Sequence, residues 1–108
     1  MLKQWYAVIV AGGTGSRFGG SRPKQFYLLE SRPVLQWSID AFFQCPSLTR
    51  LVVVSHPDWI EETGRIIRKQ TFSDRITLVP GGSYRQDSCR NGLRSLPDEP
   101  DAPVLIHD

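Results

Sequence analysis

Only two cysteines occur in the 108 residues, Cys45 and Cys89, and neither stands in a CxxC pattern or a Cys/His cluster. Their separation excludes a zinc module and a disulfide-stapled secreted scaffold, and both are expected as small buried side chains. No run approaches the ~20 apolar residues of a membrane-spanning helix, and the start Met1-Leu2-Lys3-Gln4-Trp5-Tyr6 carries no signal-peptide pattern. A cytoplasmic protein without a membrane partner is the expectation. An excess of one charge is missing as well: thirteen Lys and Arg against eleven Asp and Glu leave a net charge of +2. That is a mixed surface, not the basic stripe that duplex binding needs, so nucleic acid is not an expected partner. There is no internal repeat and no low-complexity linker. The acidic, proline-containing stretch Pro97 to Pro103 is too short to divide domains.

What is present is enough apolar material, 40% of residues, for one modest core. Trp5 to Val10 is a β-branched apolar run that stops at Ala11-Gly12-Gly13, the pattern of a buried strand feeding a glycine-rich loop that extends to about Lys24. Beyond Arg32-Pro33, Leu35, Ile39 and Phe42 recur at helical spacing, with Pro33 suited to a helix start and Pro46 beyond its end. Leu51 to Val54 reads as a second strand, broken at His56-Pro57-Asp58. Asp58 would then cap a helix whose apolar face holds Ile60, Thr63 and Ile67. Ile76 to Val79 reads as a third strand, Pro80-Gly81-Gly82 as a turn, and Ser83 onward as a helix with Cys89, Leu93 and Leu96 on one face. Val104 to Ile106 is the last strand. Apolar strands alternating with amphipathic helices predict an α/β fold: a Rossmann-like three-layer sandwich with a mostly parallel sheet. The chain stops directly after a strand, so a truncated domain is expected.

In such a sheet a ligand sits beyond the carboxyl ends of the strands, and three segments emerge there. The first runs from Ala11 to Lys24. It is neither a dinucleotide loop, since Phe18 stands where the third glycine belongs, nor a Walker loop, since Gly20 is followed by Ser21-Arg22. Its pattern is Gly-Gly-x-Gly-x-Arg with Pro-Lys seven positions after the arginine. Backbone amides free of bulky neighbours can approach phosphate closely, and Arg17 and Lys24 add two cations. Attack on an α-phosphate builds negative charge that such groups stabilise without covalent participation. A glycine-rich turn with two solvated cations is the plainer alternative. The second segment, Pro80 to Ser88, sets two glycines before a helix N-terminus, which favours an anion. Arg85 and Ser88, three apart, can face one side of its first turn. A plain capped helix, with Ser83 as N-cap and Gln86 completing a capping box, explains those two residues but not a cation, Arg85, in the first turn. The third segment ends at His107-Asp108, where a carboxylate after a buried strand suits an Mg²⁺ ligand or, more plainly, a turn residue. His107 reads as packed and His56 as a loop residue.

Taken in order, Ala11-Gly12-Gly13-Thr14-Gly15-Ser16-Arg17, Pro23-Lys24-Gln25, Gly81-Gly82-Ser83-Tyr84-Arg85-Gln86-Asp87-Ser88 and His107-Asp108 resemble the methylerythritol phosphate cytidylyltransferases over essentially the whole chain. The resemblance implies that the chain is the N-terminal nucleotide-binding portion, residues 1–108, of a single cytidylyltransferase domain. Such an enzyme transfers CMP from CTP to 2-C-methyl-D-erythritol 4-phosphate and releases pyrophosphate, in the non-mevalonate isoprenoid pathway. It further implies that Ala11, Gly12, Gly13 and Gly15 hold CTP through the backbone and that Arg17 and Lys24 stabilise the pentavalent α-phosphate. Gly82, Ser83, Arg85 and Ser88 would surround the nucleotide, and Asp108 would coordinate Mg²⁺. Family members continue with a portion of comparable size that carries the second metal carboxylate, most groups that bind the sugar phosphate and the arm of a homodimer. Ribitol 5-phosphate cytidylyltransferase, with a similar loop set and another polyol phosphate as acceptor, and an inactive CTP-binding module are the alternatives.

Overall fold

A computed structural model describes residues 4–11, 24–97 and 102–107, Lys24 by its backbone alone. Gly12, Gly13, Gly15, Arg17, Asp108 and the side chain of Lys24 lie outside the described residues. The elements run β1 (Trp5–Ala11), a 3₁₀ turn (Lys24–Phe26), a two-residue-per-strand hairpin of β2 (Leu28–Leu29) and β3 (Arg32–Pro33), α1 (Val34–Phe43), β4 (Leu48–Ser55), a second 3₁₀ turn (Pro57–Trp59), α2 (Ile60–Arg68), a third 3₁₀ turn (Ser73–Arg75), β5 (Ile76–Pro80), α3 (Arg85–Arg94) and β6 (Val104–His107).

The four long strands form one parallel sheet in the order β5-β4-β1-β6. The chain moves outward from β1 to β4 to β5 and then returns to the opposite side of β1. The order therefore reverses between β1 and β6, and a switch point of this kind opens a crevice at the carboxyl ends. Alternation along the strands divides the core in two. Ala7, Ile9, Leu51, Val53 and Ile76 pack with Leu35 and Ile39 of α1 and Ile67 of α2 on one face. Val8, Val52 and Val54 pack on the other, with Val10, Val79 and Leu96. The result is the expected three-layer α/β sandwich. A ten-residue helix such as α1 is marginal in water by itself. Burying Leu35 and Ile39 almost completely supplies about 2 kcal/mol each and holds it in place.

Four local expectations are corrected. β4 begins at Leu48, not Leu51, because Leu48 is fully buried opposite Trp5 and Arg50 reaches Thr77 Oγ1 at 3.2 Å across to β5. Asp58 does not cap α2: it lies inside a 3₁₀ turn, Pro57–Trp59, whose cap is His56, with His56 Nδ1 accepting from the Asp58 N–H at 3.0 Å. The buried stripe of α3 is Ser88 and Gly92, not Cys89 and Leu93, and Leu93 is 41% exposed. Both cysteines are free thiols and half-buried, not core residues. The Ser47 hydroxyl beside Cys45 holds that thiol below its ordinary pKa. Among the described residues no helix is long and apolar enough to cross a membrane.

Candidate nucleotide site at the carboxyl edge of the sheet

Ala11, Ser55 and Pro80 occupy one register row across β1, β4 and β5, and His107 of β6 pairs with Ile9 two residues before the end of β1. At about 4.8 Å per strand the row from Ala11 to Pro80 spans about 10 Å, a length suited to a nucleotide lying across the edge. The segments that leave this row are 12–24, 56–59 and 81–84. The middle corner is held from within by hydroxyls: Ser55 Oγ lies 3.0 Å from Thr63 Oγ1, which donates to the Trp59 carbonyl at 2.9 Å. Both residues are fully buried and fully partnered, so this corner is a support.

The turn at 81–84 is tied down at each step. The Gly81 N–H donates to the Ser55 carbonyl at 2.7 Å, and the Gly82 N–H to Ser88 Oγ at 3.1 Å. A side chain at Gly82 would begin 2.3 Å from the Asp87 Cβ, so only glycine allows this approach. The expected cap on Ser83 and Gln86 is displaced by one residue: Tyr84 is the N-cap, and the Asp87 carboxylate accepts the Tyr84 N–H at 3.3 Å. Asp87, the acidic residue of the first turn and therefore favourable to the helix dipole, also pairs with Arg90 one turn on, whose Nη1 lies 3.9 Å from Oδ1. Asp87→Ala is expected to lower stability by about 1 kcal/mol, the usual worth of a cap, or about 4–8 °C in the melting temperature of a chain this size. A thermal melt followed by circular dichroism checks it; an unchanged midpoint would mean the cap contributes nothing.

The structure thus brings Gly82 and Ser88 together and leaves Ser83 and Arg85 exposed above them. Arg85 and Ser88 do not share a face: Ser88 is buried beneath the turn, while the Arg85 guanidinium lies on the surface, 3.5 Å from Cys89 Sγ. Beside α3 runs an open groove of about 620 Å³ whose lining includes Arg85, Arg90, Arg94, Leu93 and Ile106. Its arginines place positive charge along α3 beside β6. On the other face His107 packs edge-on against Phe42, ring centroids 5.8 Å apart, which agrees with a packed residue. Two contributors were not foreseen. Gln25 Nε2 donates to the Ala11 carbonyl at 3.0 Å, and Asn91 Nδ2 to the Pro80 carbonyl at 3.1 Å. Gln25 was visible only as the residue after Pro23-Lys24, and nothing in the sequence marks Asn91.

A model of the family described as 2-C-methyl-D-erythritol 4-phosphate cytidylyltransferase, IspD, matches residues 5–108. The chain belongs to this family. Among relatives of that name, the protein of Desulforamulus reducens is 43% identical over 105 residues, covering 94% of this chain and 44% of its own length. That of Porphyromonas gingivalis is 41% identical over 108 residues, covering all of this chain and 47% of its own. The chain therefore spans slightly under half the length of the IspD relatives it matches. The crystal structure of 4-diphosphocytidyl-2C-methyl-D-erythritol synthase from Anaerococcus prevotii superposes with a TM-score of 0.76 over 98% of this chain and 43% of that one, at 24% identity. At that identity the likeness bears on the fold, and it agrees with the Rossmann-like sandwich described above.

Proposed function

We propose that this chain supplies the CTP-binding part of an enzyme that transfers CMP to 2-C-methyl-D-erythritol 4-phosphate. The observation that carries the reading is the arrival, at one carboxyl edge of the sheet, of the segments that hold the family's motifs. Ala11 ends β1, His107 ends the neighbouring β6, and the Gly81-Gly82 turn leaves the same edge at β5. A ribitol phosphate acceptor is not favoured, because the matching family and the relatives carry the methylerythritol name.

In this reading an acceptor phosphate oxygen attacks the α-phosphorus of CTP. A new P–O bond forms there as the bond to the bridging oxygen breaks, and pyrophosphate leaves with the electron pair. Amides of Ala11, Gly12, Gly13 and Gly15 bind the triphosphate. Arg17 and Lys24 face the charge that builds on the α-phosphate and on the leaving group. Gly82 and Ser83 present the start of α3 to the polar edge of the nucleotide, with Arg85 beside them and Ser88 bracing the turn. Among the described residues no cluster of three His, Cys, Asp or Glu forms a metal site. Asp108 would be this chain's carboxylate for Mg²⁺. The ion's contribution is to neutralise phosphate charge. A homodimer and a cytoplasmic location follow from the same reading.

The test is pyrophosphate release from CTP, Mg²⁺ and 2-C-methyl-D-erythritol 4-phosphate, with ribitol 5-phosphate as control and CTP binding followed by calorimetry. Release with the methylerythritol acceptor alone is the result expected of a chain competent by itself. Binding of CTP without release would assign it the nucleotide half only. Absence of both would remove the reading.

A further inference from the structure

The last carbonyls of the three strands that end in the register row share one property. Each receives a hydrogen bond from a group that leaves or faces the edge: Ala11 O from Gln25 Nε2 at 3.0 Å, Ser55 O from the Gly81 N–H at 2.7 Å, and Pro80 O from Asn91 Nδ2 at 3.1 Å. Two of the three donors are side-chain carboxamides reaching back over fourteen and eleven residues. A peptide carbonyl beside a bound phosphate repels it unless its oxygen is engaged by a donor, and an unengaged one also lets the strand end shift. Both carboxamides act at points where a site segment departs. Gln25 sits in the turn Lys24–Phe26, which is anchored by the buried Phe26 ring lying 5.3 Å from Trp59. Asn91 sits on α3, whose close seat on the sheet is set by Gly92.

We propose that Gln25 and Asn91 are positioning residues for the nucleotide: they fix the ends of β1 and β5 and mask their terminal carbonyls, so that the edge accepts a polyphosphate. Gln25 ties Ala11 to the backbone just beyond Lys24, and Asn91 ties Pro80 to the helix that Gly81 and Gly82 precede. The proposal rests on the nucleotide reading above. It adds two residues that need not touch the nucleotide themselves.

The experiment compares calorimetric affinity for CTP with Mg²⁺, and the melting temperature without nucleotide, in the wild-type chain, Gln25→Leu and Asn91→Leu. Gln25→Glu and Asn91→Asp keep the shape and replace the donors with acceptors. Loss of one donor is expected to weaken CTP about tenfold, the upper end for one hydrogen bond, with the nucleotide-free melting temperature near wild type. The carboxylate variants should bind more weakly still, since they set an acceptor against each carbonyl. Wild-type affinity in both leucine variants overturns the proposal while leaving the nucleotide reading intact. So does an affinity loss that disappears when the assay is cooled below the variant's unfolding range, because the contacts would then be structural only. No CTP binding by the wild-type chain removes the nucleotide reading, and this proposal with it.

Discussion

Gly92→Val is expected to remove about 4 kcal/mol or more of the chain's stability. A Cβ at this position would lie 2.7 Å from Val8 Cγ1 and 2.9 Å from Val54 Cγ2, inside any normal carbon contact. Both valines are fully buried in the middle of the sheet, one on β1 and one on β4, so neither can yield without disturbing the central pairing. Two effects compete even for the smallest change. Replacing a mid-helix glycine by alanine gains about 1 kcal/mol of helix propensity, whereas overpacking a tight core costs about 1–3 kcal/mol. At these distances overpacking wins. Valine adds two further methyl groups and loses part of the propensity gain, so a cost of about 4 kcal/mol or more is expected against a total stability of about 5–15 kcal/mol. Urea unfolding of the wild type, Gly92→Ala and Gly92→Val checks the order. A valine variant as stable as wild type would mean that α3 does not seat on the sheet where it is described.

The same contact explains why α3 was the helix least legible from its sequence. A helix that lies closely on a sheet does so through small residues, and Ser88 and Gly92 look polar or neutral in a periodicity count that favours Cys89 and Leu93. By contrast β1, β4 and β5 were legible because strands buried on both faces are continuous apolar runs, and Leu35 and Ile39 recur at the helical period over a buried face. The β2–β3 hairpin was not anticipated. Its turn uses Glu30 and Ser31 at φ 50° and 68°, a left-handed pair that usually announces itself as Asn-Gly. It is held from outside: Trp37 Nε1 donates to the Leu29 carbonyl at 2.9 Å, and Arg32 lies over the Trp37 ring and pairs with Asp40. Such a compensation depends on tertiary neighbours and leaves no local mark.

At the candidate site the division is similar. Residue types that speak for phosphate chemistry, glycines before a helix or an arginine after a glycine loop, are readable because the chemistry restricts them. Ser88 was readable as a site residue, yet its contact is inward to Gly82. Only the register row explains Gln25 and Asn91, since a carboxamide can bond almost any carbonyl and its sequence neighbours do not say which. The sheet order supplied what the motifs could not. It sets β6 beside β1, bringing the residue before Asp108 into register with the strand that feeds the glycine loop.

Arg17→Ala and Lys24→Ala are expected to lower the turnover of the active enzyme by several hundredfold while changing CTP affinity only a few-fold. The asymmetry follows from when the charge is needed. Ground-state CTP already carries its triphosphate charge, which in the proposed site loop amides and Mg²⁺ would share, so removing one side chain would leave most of the binding in place. As the α-phosphorus becomes pentavalent, charge builds on its oxygens and on the departing pyrophosphate, and a preorganised cation there is worth about 3–4 kcal/mol of barrier by comparison with oxyanion donors. Loss of a uniform binding contact would instead raise KM with kcat unchanged. Single-turnover rates at saturating CTP, read beside calorimetric affinities, separate the two. A variant with normal turnover would remove that residue from the chemistry, and one with equal losses in affinity and rate would make it a binding group. Substituting Arg17 by lysine gives a further discriminator: a point charge retains part of the rate if charge alone matters, whereas a requirement for the guanidinium's paired donors leaves it close to the alanine variant.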